Sequence, residues 1–127
     1  MRRNGFTLLE AMVALAILSL VGVAALGAVS RDLEAASRAQ TALESSALAE
    51  DRLELIRLLD AGTLHVLPDS LARGRFPPPF DDYGWEAEVD PVFGRPGLYR
   101  VRVEVTWADG RRALAGFIHR RPARVAP

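Results

Sequence analysis

No cysteine occurs anywhere in the 127-residue chain, which excludes a disulfide framework, a thiolate metal site and a cysteine nucleophile. Lysine is also missing: all 16 cationic side chains are arginine, spread over every segment, so the bias tracks no particular site. They balance 16 carboxylates, and a formal charge of zero means that no whole-molecule field draws the protein to nucleic acid or to an acidic substrate. Catalytic parts are lacking too. His65 and His119 have no serine, cysteine or spaced ligand beside them to make a triad or a zinc site, and there is no glycine-rich phosphate loop. Neither an enzyme nor a cofactor is expected. Proline is absent from the first half: all 8 prolines lie from Pro68 onward, and between Arg31 and Ala61 there is neither proline nor glycine. At 13.8 kDa the chain has the size of one domain with a modest core.

What is present is an apolar run. From Ala11 to Ser30 the chain carries no charge and no proline, which is enough to span a bilayer as a helix. Arg2 and Arg3 stand before it, while Arg31 after it is offset by Asp32 and Glu34, so the start is expected in the cytoplasm and the rest outside. Two arginines, an apolar run and the small residues Ala25 and Gly27 would also suit a secretory leader. Against that, the run exceeds the usual leader core of roughly 7–15 residues, and Glu10 sits inside an apolar stretch that really begins at Phe6. A carboxylate there costs up to about 2.5–3.5 kcal/mol near a helix centre and less near its end, so it implies a partner.

The residues Arg2-Arg3-Asn4-Gly5-Phe6-Thr7-Leu8-Leu9-Glu10 resemble the processing motif of type IV pilins and their pseudopilin relatives. The resemblance implies cleavage between Gly5 and Phe6 by a membrane prepilin peptidase and methyltransferase, and N-methylation of Phe6. It further implies that Glu10 pairs with the terminal amine of an adjacent subunit during filament assembly. The runs Leu8–Leu18 and Ala47-Leu48-Ala49-Glu50-Asp51-Arg52-Leu53-Glu54 are similar to the I-type minor pseudopilins of type II secretion, with Asp51 where those proteins usually carry Asn. Implied with it are an inner-membrane, single-pass location with a periplasmic head, and as partners the other minor and major pseudopilins, the inner-membrane secretion platform and membrane lipid. A minor type IV pilin for pilus assembly, twitching or DNA uptake is the second reading, and a signal-anchored binding domain the third.

The fold class expected is α+β and pilin-like, a long N-terminal helix packed on an antiparallel sheet of about three or four strands. Residues 1–5 would be the leader, 6–30 the membrane half of the helix, 31–61 its periplasmic half and 62–127 the head. Proline-free from Phe6 to Ala61 and closed by Gly62 in a C-cap position, the helix would run about 84 Å at about 1.5 Å per residue. Glu34 with Arg38 and Glu54 with Arg57 stand at helical spacing and support it. Gly22 and Gly27 would allow close packing of other helices in the membrane. On a helical wheel Leu33, Ala36, Leu43 and Ala47 share one side, expected to meet neighbouring subunits, while Leu48, Leu55 and Leu59 are expected to carry the sheet.

Residues 64–84 read as a surface loop with a short helical turn near Ser70–Arg73 and a stiff Pro77-Pro78-Pro79 turn. Asp81-Asp82 alone falls short of the six to eight ligands calcium takes. Trp85, Ala87 and Val89 alternate with Glu86 and Glu88, and Val101, Val103, Val105 and Trp107 with Arg100, Arg102, Glu104 and Thr106, as strands do. Asp109-Gly110 is a hairpin turn leading to a third strand over Arg112–His119. Trp85 and Trp107 are expected to anchor the core. Arg111, Arg112, Arg120, Arg121 and Arg124 read as a solvated rim rather than a DNA-capturing patch, for they lack interleaved aromatics.

This reading predicts a mature chain beginning at N-methylated Phe6, with a formal side-chain charge of about −2 once Arg2 and Arg3 are removed. Replacing Gly5 by a bulky residue is expected to leave the precursor uncut. N-terminal sequencing checks both, and a start near Ala28 would mean an ordinary secretory leader.

Overall fold

The computed structural model describes Gly5 and residues 7–121, an α+β fold with three helices and four strands among those residues. Its elements in chain order are α1 (Leu8–Arg57), α2 (Ala61–His65), α3 (Asp69–Ala72), β1 (Arg73–Arg75), β2 (Gly84–Pro91), β3 (Leu98–Trp107) and β4 (Gly110–His119). The contacts divide the chain into two units, Met1–Gln40 and Thr41–Pro127.

In the first unit every described side chain is exposed, from Leu8 at 82% to Leu33 at 66%. An apolar helix with nothing of its own to pack on is consistent with a single membrane-spanning segment. Its two serines do not offend that solvent: Ser19 Oγ donates to the Leu15 carbonyl at 2.8 Å and Ser30 Oγ to that of Leu26 at 3.0 Å.

The second unit is built on an antiparallel meander in the order β1-β2-β3-β4. Cross-strand register carries the alternation through the sheet: Val89 faces Val101, Ala87 faces Val103, Trp85 faces Val105, and Val103 in turn faces Leu114. Val101, Val103 and Val105 are completely buried, whereas Glu86, Glu88, Arg100 and Arg102 on the other face are exposed. The buried row joins one cluster with Ala49, Leu53 and Ile56 of α1, Leu64 of α2, Phe76, Tyr83, Ala87 and Ile118.

Four expectations change. First, the inward face of α1 is not the leucine stripe alone: Ser45, Ala49, Leu53 and Ile56 are buried, Leu48 and Leu59 pack half-buried against the same core, and Leu55 is 40% exposed. Leu53 packs over β4, where a Cβ at Gly116 would stand 3.6 Å from its methyl. Ser45 is tolerated in that face because its hydroxyl donates to the Ala42 carbonyl at 3.1 Å.

Second, α1 ends at Arg57 rather than at Ala61, and Gly62 lies inside α2 instead of closing α1. The last turn tightens through Leu58 N–H to Leu55 carbonyl and Leu59 N–H to Ile56 carbonyl bonds of 3.2 and 3.1 Å. Asp60 then starts α2 as an N-cap, accepting the Thr63 N–H at 2.7 Å, and that bond holds its carboxyl below the usual carboxylate range.

Third, Arg120 is no rim residue. Its Nε donates to the Leu59 carbonyl at 3.1 Å and its Nη2 to the Arg57 carbonyl, so the guanidinium caps the end of α1 where the helix dipole favours a cation. Arg111, Arg112 and Arg121 are exposed, and Arg124 lies outside the described residues.

Fourth, the expected loop holds the short strand β1 as well as the helical turn expected near Ser70–Arg73, which is α3. β1 pairs with β2 over Arg73–Glu86 to Arg75–Gly84, and the prolines form the turns that join them. Asp81 and Asp82 sit exposed in that connection.

The corrected helix face yields a stability prediction for the full chain in detergent, read by thermal melts. Leu53→Ala should cost about 2–5 kcal/mol as a core truncation, whereas Leu55→Ala should cost less than about 1 kcal/mol.

Candidate functional site

Three places carry the candidate residues: the N-terminal motif, the exposed side of α1, and one end of the sheet. At the first, Thr7 proves to be the residue that organises the others. Its Oγ1 accepts the Glu10 N–H at 3.2 Å, and its carbonyl takes the first helical bond, from Ala11 N–H, at 3.1 Å. Thr7 is thus the N-cap of α1, with Glu10 three residues on in the first turn. The pattern Thr-x-x-Glu was readable as a capping box, though only the cleavage motif was taken from it. Glu10 gains from this placement, since the helix dipole stabilises an anion in the first turn. Its side chain is exposed, so the carboxylate is available to an outside partner. Gly5 is exposed with open space around it, and Phe6 lies outside the described residues.

On α1, Leu33 and Ala36 in the first unit are exposed, and so are Leu43, at 73%, and Ala47 in the second. None of the four belongs to the core cluster.

The third place is where α1 enters the second unit. Both tryptophans stand there half-buried, rather than at the centre of the core, and each lies over a glycine on the neighbouring strand. Trp85 pairs with Gly74, and a Cβ at Gly74 would meet the indole at 2.6 Å; Trp107 pairs with Gly110, where the distance would be 2.9 Å. Only glycine leaves room for a flat ring across the strand. Arg52 of α1 covers the other indole, its guanidinium 3.7 Å from the Trp85 ring centre and 5.0 Å from that of Phe76.

Beyond them a wide groove of about 1350 Å³ is lined by Phe80, Tyr83, Trp85 and Trp107, with Glu44, Asp82 and Glu86 set against Arg73 and Arg75. Arg73 is partly occupied by Asp69 at 3.3 Å. Tyr83 donates its hydroxyl to Glu44 Oε2 at 3.0 Å. Burial, and then the Glu44 carboxylate, push the phenol above its ordinary range. Among the described residues no group of three or more His, Cys, Asp or Glu is placed to hold a metal. His65 and His119 are exposed and lie on different elements.

The family model described as the prokaryotic N-terminal methylation motif matches residues 1–26. No curated protein matches the chain, and no solved structure does. The methylation motif and the long apolar helix packed on a four-stranded antiparallel sheet together support a place in the type IV pilin-like superfamily. Proteins of that kind are structural. The motif also implies a prepilin peptidase and methyltransferase as a partner.

The Tyr83–Glu44 contact has a pH signature. Because the folded phenol titrates above the unfolded one, its contribution is complete below about pH 10 and is lost as the pH rises through the folded value. Tyr83→Phe should make the alkaline limb of a melting-temperature profile shallower.

Proposed function

We propose that the protein is a minor pseudopilin of a type II secretion system, a subunit that helps to initiate and cap the periplasmic filament driving export across the outer membrane. One observation carries this reading: a capped first turn presents the exposed Glu10 carboxylate at the head of an uncharged, uncovered helix. Such a carboxylate costs free energy in lipid unless a cation meets it. The methylated amine of Phe6 on a neighbouring subunit is a suitable cation, and it exists only after cleavage at Gly5. Assembly is thereby tied to processing.

In this mechanism the precursor waits in the inner membrane with its basic end inside. Cleavage removes Arg2 and Arg3, Glu10 pairs with the next amine, and the helix leaves the bilayer to stack against other helices. Leu33, Ala36, Leu43 and Ala47 are the positions assigned to those helix contacts; all four are exposed, and each has a polar residue beside it in the sequence. The secretion assignment over a pilus rests on the Ala47–Glu54 stretch and on the small head.

Glu10→Val separates insertion from assembly. The variant is expected to insert and to be cleaved, yet to fail to co-purify with companion subunits and to impair secretion. Normal secretion with wild-type co-purification would overturn the charge-pairing role, and loss of cleavage would place Glu10 in peptidase recognition instead.

A further inference from the structure

β4 is the last strand of the sheet, and among the described residues no strand pairs with its outer edge. The two-residue turn between Trp107 and Gly110 makes that pair a hydrogen-bonded one, and hydrogen-bonded pairs alternate along an antiparallel ladder. The Arg120 N–H to Gly97 carbonyl bond of 2.7 Å falls on the same alternation. Arg112, Leu114, Gly116 and Ile118 therefore bond to β3, while Ala113, Ala115 and Phe117 turn their N–H and carbonyl groups away from it. The last three are all exposed. Sheets ordinarily guard such an edge with a proline, a bulge or a covering element. β4 has no proline, and its register with β3 runs unbroken from His119 opposite Leu98 to Gly110 opposite Trp107. The other edge, β1, offers only 3 residues.

Between β4 and α1 lies a cleft of about 310 Å³, walled by Leu53, Leu114 and Ala115 and rimmed by Glu50, Glu54 and Arg57. Glu54 forms an ion pair with Arg57, whereas Glu50 is exposed and has no ion-pair partner among the described residues. Resting on the filament-subunit reading, we infer that an extended segment of a companion subunit adds to β4 as a further strand, setting an apolar side chain in the cleft on Leu53 and Leu114 and a cationic one against Glu50. Backbone pairing supplies the affinity of such a contact, and the alternate side chains select the partner. A second copy's β4 fits poorly. Joined antiparallel, two copies carry their helices on one face of the common sheet, and Glu50 and Glu54 of each confront those of the other. Joined parallel and in register, Arg111 and Arg112 stand beside their own counterparts. Both arrangements oppose like charges, which costs free energy. A strand taken from a different chain makes a contact that does not repeat, as suits a subunit that initiates and caps.

The test purifies the full-length chain in detergent with the companion pseudopilins encoded beside it and compares hydrogen exchange at single amides with that of the chain alone. On binding, the Ala113, Ala115 and Phe117 amides should slow by at least about tenfold, while those of Leu114 and Gly116, already bonded to β3, should change little. Ala115→Pro removes an outward donor and no bond to β3, so its thermal melt should match the wild type while recovery of companions falls at least about fivefold. Ala115→Ser keeps the donor and should bind as the wild type does. Glu50→Arg, at an exposed site clear of the core, should lower recovery whether or not the proline is tolerated. Bound companions with unprotected Ala113 and Ala115 amides, the same protection arising from a second copy in the chain alone, or full recovery by Glu50→Arg and a folded Ala115→Pro would each overturn the inference and leave the pseudopilin reading standing. A wild-type chain that recovers no companion would instead overturn that reading, and this inference with it.

Discussion

Val101, Val103 and Val105 can be wholly buried only because α1 supplies a matching apolar face, and that contact is the constraint under which the second unit is built. The strands are too few to make a core by themselves: a four-stranded meander has one wet face and needs another layer over the dry one. Ala49, Leu53 and Ile56 provide that layer, and α2 adds Leu64 at its margin. The sequence of α1 must therefore serve two surroundings. Its earlier part carries apolar side chains outward on all sides, and its later part keeps a narrow face for the sheet and mixes polar side chains with Leu43, Ala47 and Leu55 on the rest.

The strands were legible because alternation is a local signal and both faces of each strand differ in polarity. The inward face of α1 was legible only in part. Leu53 and Ile56 are as large and apolar as Leu48, Leu55 and Leu59, so residue type alone does not tell which of them packs centrally; Leu48 and Leu59 meet the core at its edge and Leu55 turns outward. β1 was hidden since Arg73-Gly74-Arg75 shows no alternation and becomes a strand only by pairing with β2. Asp60 was recognisable as an N-cap, but the absence of glycine and proline up to Ala61 invited a single longer helix.

The N-terminal methylation motif was legible because it is local, a glycine, a threonine and a glutamate within six residues, whereas the capping role of Thr7 emerged only from the structure. The groove was not, since Glu44, Tyr83 and Trp107 come from three distant parts of the chain and meet only in the fold. The same holds for the stacking of Arg52 on Trp85, which a helix position alone could not announce. Short-range patterns in this chain point to processing, and long-range ones shape the head.

The Arg120 guanidinium holds carbonyls 61 and 63 residues earlier, so the last strand completes the end of the first helix. During synthesis this closure must wait for nearly the whole chain. The apolar segment emerges from the ribosome long before β4 exists, and at that stage the head is still open. The fold thus carries its own timing: the end of the first helix stays unfastened until the last strand has been made and laid beside it.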